Sequence, residues 1–227
     1  MSVPIRPKLA EDIADYLTEK IVQMQIRPGE RITEAKIREI FDVSGSPVRE
    51  ALMILEKKHL VELIPRCGAK AAEMSPEFIS NLYDVMAELA GLLIRRVCED
   101  HTEEELNWFL EMVSNALDCA RNKDVHGYFE AIRTTSLGVV EISRNPLLAG
   151  IVMEWIPSFQ RANYLFLLHS SYNLEDHVKS FQELSKHVID NNTEMAERTA
   201  RSFFRREQER VLEIVRKYFS EEEKAAG

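Results

Sequence analysis

Past Ser75 the chain keeps one rhythm. Apolar residues recur at spacings of three and four, and no period-2 alternation of useful length appears, so this part has helices to build with and no strands. Only three prolines fall there, and two of them, Pro76 and Pro146, directly follow Ser75 and Asn145. A small polar residue followed by proline is a helix start, because proline lacks only an N–H that the first turn leaves free anyway. Helices are expected over 76–100, 102–123, 125–143, 146–168, 174–191 and 193–220, with Glu221–Gly227 fraying. Thr102-Glu103-Glu104-Glu105 reads as a capping box, and Asn173 as a further N-cap. About six helices, each with one apolar face, are satisfied by an antiparallel bundle.

Before Ser75 the pattern is more broken. Leu9, Ile13, Leu17, Ile21 and Met24 make one stripe on a helix over 8–25, which Arg27-Pro28-Gly29 stops. A short helix fits Thr33–Phe41 with Thr33 as N-cap. After Asp42-Val43-Ser44-Gly45, Ser46-Pro47 starts a third helix running to Lys58, with Val48, Ala51, Leu52 and Leu55 facing inward and Ser46, Arg49 and Met53 facing elsewhere. Two short strands, Leu60–Ile64 and Ala69–Ala72, flank a turn at Pro65-Arg66-Cys67-Gly68. Three helices and a hairpin in this space make a winged helix-turn-helix. The fold class is mainly α: a winged helix-turn-helix over 1–74 with a small β-hairpin wing, then an antiparallel all-α bundle over 75–227.

Net charge of −9 argues against a nucleic-acid partner only until its distribution is examined. Residues 1–75 carry 12 Lys and Arg against 12 Asp and Glu, while the remainder carries 17 against 26. A neutral N-terminal part leaves room for a local basic face. Cys67, Cys98 and Cys119 are odd in number and form no CxxC pair, so free thiols in a reducing compartment are expected. No apolar run reaches the length of a membrane span, and the first ten residues hold no signal-like apolar core, so a cytoplasmic location is expected. Enzyme motifs (GxSxG, HExxH, the P-loop, the dinucleotide fingerprint) are absent from the sequence. Glu103-Glu104-Glu105 and Glu221-Glu222-Glu223 sit at a helix start and in a tail, as solvated surface does.

Ile26-Arg27-Pro28-Gly29-Glu30-Arg31-Ile32 together with Val43-Ser44-Gly45-Ser46-Pro47-Val48-Arg49-Glu50-Ala51-Leu52 resembles the GntR family of bacterial regulators. The wing Ile64-Pro65-Arg66-Cys67-Gly68-Ala69 agrees in spacing and type. The helical remainder is similar to the subgroup with an FCD effector domain. The resemblance implies a homodimer that reads a palindromic operator in double-stranded DNA, represses transcription, and answers to a small-molecule effector. Carried over residue by residue, it places Ser44, Ser46 and Arg49 toward the major groove, with Arg49 on a guanine edge or a phosphate. Arg66 and Gly68 fall in the wing, where glycine would let backbone approach the sugar-phosphate. Arg6 and Lys8 would neutralise phosphates. Gly45 departs from the family, which usually carries arginine there, so the operator differs or binding leans on Arg49 and the wing.

A second departure lies in the bundle. The resemblance implies a metal held by one Asp and three His, but those positions fall at Ile132, Ser136, Phe181 and Phe203. The usual pocket Arg and Glu fall at Met86 and Ala90. Ile, Ser and Phe offer a cation at best one weak hydroxyl, so no metal cofactor is expected. Two readings stand. Met86, Ile132, Phe181 and Phe203 converge on an apolar pocket for a fatty acid or acyl thioester, with Tyr128, Arg133 and Ser136 as its polar groups; or the cavity has filled and the domain is a ligand-free dimerisation body. His126, His169, His177 and His187 are scattered, and the last two, ten positions apart, do not make a helical metal pair. Trp155, Phe159, Tyr164 and Phe166 read as core or dimer packing. The sequence is compatible with a ligand-responsive regulator or a ligand-free architectural DNA binder; for an enzyme no motif speaks.

Overall fold

The computed structural model describes residues 6–65, 67–169 and 174–226. Its elements in chain order are α1 (Arg6–Val22), β1 (Arg31–Ile32), α2 (Glu34–Phe41), α3 (Gly45–Lys57), β2 (Val61–Ile64), β3 (Gly68–Ala71), α4 (Pro76–Glu99), α5 (Glu103–Arg121), α6 (Val125–Ile142), α7 (Pro146–His169), α8 (Leu174–Ile189) and α9 (Thr193–Ala226). They form two compact units. The first holds the residues up to Ser75 together with Glu154–Tyr164; the second holds Pro76–Met153 and the chain from Leu165 onward. Helix α7 therefore contributes to both. Pro157 lies inside it, and the missing N–H leaves the Met153 carbonyl without its helical partner at the point where the units divide.

In the first unit Ile13, Leu17 and Ile21 of α1 pack against Val48, Ala51, Leu52 and Leu55 of α3, and Ile37 and Leu60 close the core. Each fully buried Val, Leu or Ile contributes about 1.5–3 kcal/mol, enough to fix α3 against α1 with its opposite face free. Helix α1 ends at Val22, three residues short of the expected 8–25. Met24 takes a left-handed φ of 58°, and the amides of Gln25 and Ile26 both fold back onto the Lys20 carbonyl, so Met24 leaves the helix. Thr33 caps α2 as expected, accepting from the Lys36 amide. Asp42, at φ 50°, makes the tight turn into α3.

Helix α3 starts earlier than the Ser46-Pro47 signal suggested. Ser44 is the N-cap and Gly45 the first helical residue, which puts Pro47 third. Proline is tolerated there because the first four N–H groups of a helix have no intrahelical partner. The wing strands each lie within a residue of expectation, but the sheet has a third strand the sequence did not announce. Its order is β1-β3-β2, all antiparallel, with Ile32 opposite Ala69 and Leu63 opposite Ala69 on the other side. Two residues carry no periodicity of their own; β1 exists through its partner.

The Glu154–Tyr164 segment of α7 completes this unit. Trp155 stacks on His59 at 3.8 Å with planes 7° apart, His59 Nε2 lies 2.9 Å from Glu154, and buried Arg161 donates to the Ala72 carbonyl at 2.6 Å.

In the second unit α4 runs along α9, α5 packs on α6 and α8, and α8 packs on α9. The Thr102 capping box is present in both directions, and Asn145 caps α7 by accepting from the Leu148 amide. Asn173 lies outside the described residues. Of the adjacent pair on α5, Phe109 is buried in the core, while the Trp108 ring crosses Gly138 of α6, where only a glycine leaves room.

Candidate DNA interface and effector site

The N-terminal end of α3 is presented by packing on its other face. Val48, Ala51, Leu52 and Leu55 are buried, and at 3.6 residues per turn this turns Ser44, Ser46 and Arg49 to solvent; all three are exposed. Ser46 does not cap the helix: its Oγ donates to Glu50 Oε1 at 3.0 Å. Arg49 lies back along the helix. Its guanidinium sits over Gly45, so that a Cβ there would meet Nη1 at 3.4 Å and Cζ and Nη2 at 3.6 Å. The same Nη1 donates to Glu34 Oε2 of α2 at 3.4 Å.

Lys8 is exposed on α1. The Arg6 side chain and all of Arg66 lie outside the described residues. Gly68 is buried, at φ 96°, and a Cβ on it would collide with the Ile32 carbonyl oxygen and lie 3.2 Å from Thr33 Cα and 3.3 Å from the Glu34 amide nitrogen. The glycine is thus required by the protein's own backbone, a reason separate from close approach to a sugar-phosphate. It seats the root of the wing on the start of α2.

In the bundle, the residues expected to line one volume divide into groups. Phe181 of α8 and Phe203 of α9 are in ring contact at 4.8 Å. Tyr128 of α6 is fully buried and joins them through a residue the sequence reading had set aside: its hydroxyl hydrogen-bonds His177 Nδ1. The His177 ring contacts Phe181 at 5.7 Å and Phe203 at 4.9 Å. Met86 and Ala90 are buried on α4, and Ile132 is half-buried on α6. The other two polar candidates are engaged on their own helix. Arg133 pairs with Glu130 on its own helix at 2.6 Å, and the Ser136 hydroxyl donates to the Ile132 carbonyl at 2.9 Å.

The residue that sequence reasoning missed is Glu207. Its side chain is 2 % exposed; His177 Nε2 lies 3.0 Å from Oε2, out of line for a directed hydrogen bond, and Arg210 lies 2.6 Å from Oε1. Burial alone would raise this carboxyl's pKa; His177 and Arg210 beside it outweigh burial and hold it below the usual carboxylate range. Burial, and then the Glu207 charge, push the Tyr83 phenol well above its ordinary value. Tyr128, His177 and Glu207 each stand four residues, one helical turn, from Ile132, Phe181 and Phe203. That i,i+4 relation was the signal, hidden for Glu207 by the charged run Arg205–Arg210.

The side chains at these positions do not form the Asp and His ligand set that the resemblance implies for a metal. Ile132, Phe181 and Phe203 supply no donor, and the Ser136 hydroxyl is engaged with its own helix. Among the described residues no group of three or more His, Cys, Asp or Glu could hold a metal ion, and no helix is long and apolar enough to cross a membrane.

Comparison with known proteins agrees with this architecture. Residues 9–70 match the model of the bacterial regulatory proteins of the gntR family, and residues 81–206 match the FCD domain. The HTH-type transcriptional regulator YdhC of Bacillus subtilis is 26 % identical over 181 residues, which is 76 % of this chain and 79 % of YdhC. The HTH-type transcriptional repressor RspR of Escherichia coli is 23 % identical over 81 % of both chains. Among solved structures, E. coli McbR/YncC superposes with a TM-score of 0.79 at 17 % identity, covering 92 % of this chain and 98 % of that one. The chain is a DNA-binding transcription regulator, not an enzyme, and belongs to the GntR family, in the branch whose C-terminal part is an FCD domain.

Proposed function

We propose that this regulator works in the cytoplasm as a homodimer on a palindromic operator, and that a small apolar molecule held in the helical bundle sets its affinity for that operator. The observation that carries the DNA reading is the exposed set Ser44, Ser46 and Arg49 on a helix whose other face is locked in the core. An arginine on such a helix can pair with guanine O6 and N7 in the major groove. Two copies related by a two-fold axis would read half-sites about one helical turn apart or a multiple of it. Lys8, with Arg6 and Arg66, supplies phosphate contacts that carry affinity without sequence.

The effector is of the fatty-acid or acyl-thioester class and needs no metal. Support comes from the replacement of the family's ligand positions by Ile132, Phe181 and Phe203, with Met86 on α4. Tyr128 and His177 supply polar groups beside the aromatic pair. Such a molecule acts by preferring one arrangement of the two recognition helices, a population shift.

A second reading, a ligand-free DNA-binding dimer with a filled cavity, is favoured by one observation: Phe181 and Phe203 already touch each other and His177. Native mass spectrometry of the purified chain separates the two. An acyl mass bound near one per protomer, with operator release on adding that lipid, supports the first; an empty dimer whose operator binding no acyl ligand alters supports the second. Arg49→Ala is expected to weaken operator binding tenfold or more, from about 1–3 kcal/mol per bidentate arginine–guanine contact. Unchanged affinity would show that α3 does not enter the groove by this face.

A further inference from the structure

Arginine discriminates guanine from phosphate best when something fixes its fork. Its guanidinium carries five N–H donors in a rigid fork, but the stem is long, and a free arginine beside DNA pairs as readily with a phosphate as with guanine. In this interface Arg49 is not free. Nη1 is engaged by Glu34 Oε2 at 3.4 Å, and the guanidinium rests over the bare Cα of Gly45.

We propose that Glu34 is a specificity-determining residue of the DNA interface, holding Arg49 by one nitrogen over Gly45 so that its remaining N–H edge reads a guanine. This rests on the proposed entry of α3 into the major groove. The carboxylate works in two ways. It restricts the rotamers of Arg49, and its negative charge, 28 % exposed at the side chain, repels phosphates from the same guanidinium. Attraction to the correct base is thereby combined with repulsion from the sequence-independent alternative.

Glu34 is placed for this by the backbone that carries it. It is the first residue of α2, behind the Thr33 cap, and its amide lies against buried Gly68 at the root of the wing. Gly45 is the other half of the device. The larger side chain that the family resemblance leads one to expect at this position would compete for the space in which the Arg49 guanidinium lies. The glycine is then more than a lost base contact: it gives Arg49 its seat.

The test uses the full-length chain and an operator selected from random-sequence duplexes, followed by competition binding against every single-base variant of one half-site. Wild type, Glu34→Gln, Glu34→Ala, Arg49→Ala, Gly45→Arg and the Glu34→Ala/Arg49→Ala double variant are compared, with thermal melts of each. Glu34→Gln is expected to lose about tenfold of discrimination at one G·C pair per half-site, the low end for a single bidentate contact, while its binding to random DNA rises. Gly45→Arg is expected to change the preferred base at that pair. In the double variant, loss of Glu34 should add nothing to the loss of Arg49, since the two residues act through one contact. If both Glu34 variants keep the wild-type base profile while Arg49→Ala loses it, the proposal is overturned and the DNA reading stands. If Arg49→Ala itself keeps the profile, the placement of α3 fails and takes this inference with it.

Discussion

Gly68→Ala adds one methyl group at a point where two explanations of a glycine give opposite results. On the structure, the new Cβ would collide with the Ile32 carbonyl oxygen and press on Thr33 Cα at 3.2 Å. The backbone there stands at φ 96°, which costs a residue with a Cβ about 1–3 kcal/mol. Relief of the collision requires β1 to move off β3, straining the Ile32–Ala69 and Arg31–Lys70 pairings, where each lost hydrogen bond costs about 0.5–1.5 kcal/mol. Together these amount to roughly 3 kcal/mol, or a fall in melting temperature of about 12–24 °C for a unit of this size. Calorimetry with hydrogen exchange on the β1 and β3 amides is the assay. A glycine kept only for approach to DNA would behave otherwise, giving wild-type melting and exchange with weakened operator binding; that result would refute the backbone argument.

Gly138→Ala should destabilise the bundle, because a Cβ at that site meets Trp108 Cζ2 at 2.8 Å and two further ring atoms more closely; overpacking of this kind costs about 1–3 kcal/mol, and Trp108→Ala in the same chain should recover part of it. For Glu207 the sign follows from its depressed pKa: the contribution is present above the ordinary carboxylate range and is lost as pH falls through the folded value. Glu207→Gln should therefore flatten the acid limb of the stability curve, and an unaltered acid limb in urea titrations would show that the pair with His177 and Arg210 contributes nothing. Tyr83 works from the other side. Its raised pKa predicts stability falling as pH rises past the ordinary phenol range, and Tyr83→Phe should remove that alkaline loss.

Features carried by neighbours in sequence were legible. The Thr102 capping box, the Thr33 and Asn145 caps, the six C-terminal helices and the buried stripe of α3 all follow from spacings of three and four. The start of α3 was displaced because Ser44 and Ser46 both carry hydroxyls, and Pro47 is as tolerable at the third helical position as at the first. Strand β1 was invisible, since two residues carry no period and Arg31–Ile32 become a strand only when β3 lies beside them. The polar centre of the bundle was illegible for a related reason. Glu207 stands in a run of arginines and glutamates that reads as a solvated face, while His177, the partner it meets when buried, stands 30 residues away. A buried carboxylate costs too much to predict from one helix alone; its partners must be known first.

The most direct test of the central claim is selection of bound duplexes from a random-sequence pool by the purified full-length chain. An enriched inverted repeat, with one G·C pair per half-site whose preference disappears in Arg49→Ala, is the predicted result. Enrichment of no sequence, or of a site lacking two-fold symmetry, would contradict the account of a dimer reading an operator through α3.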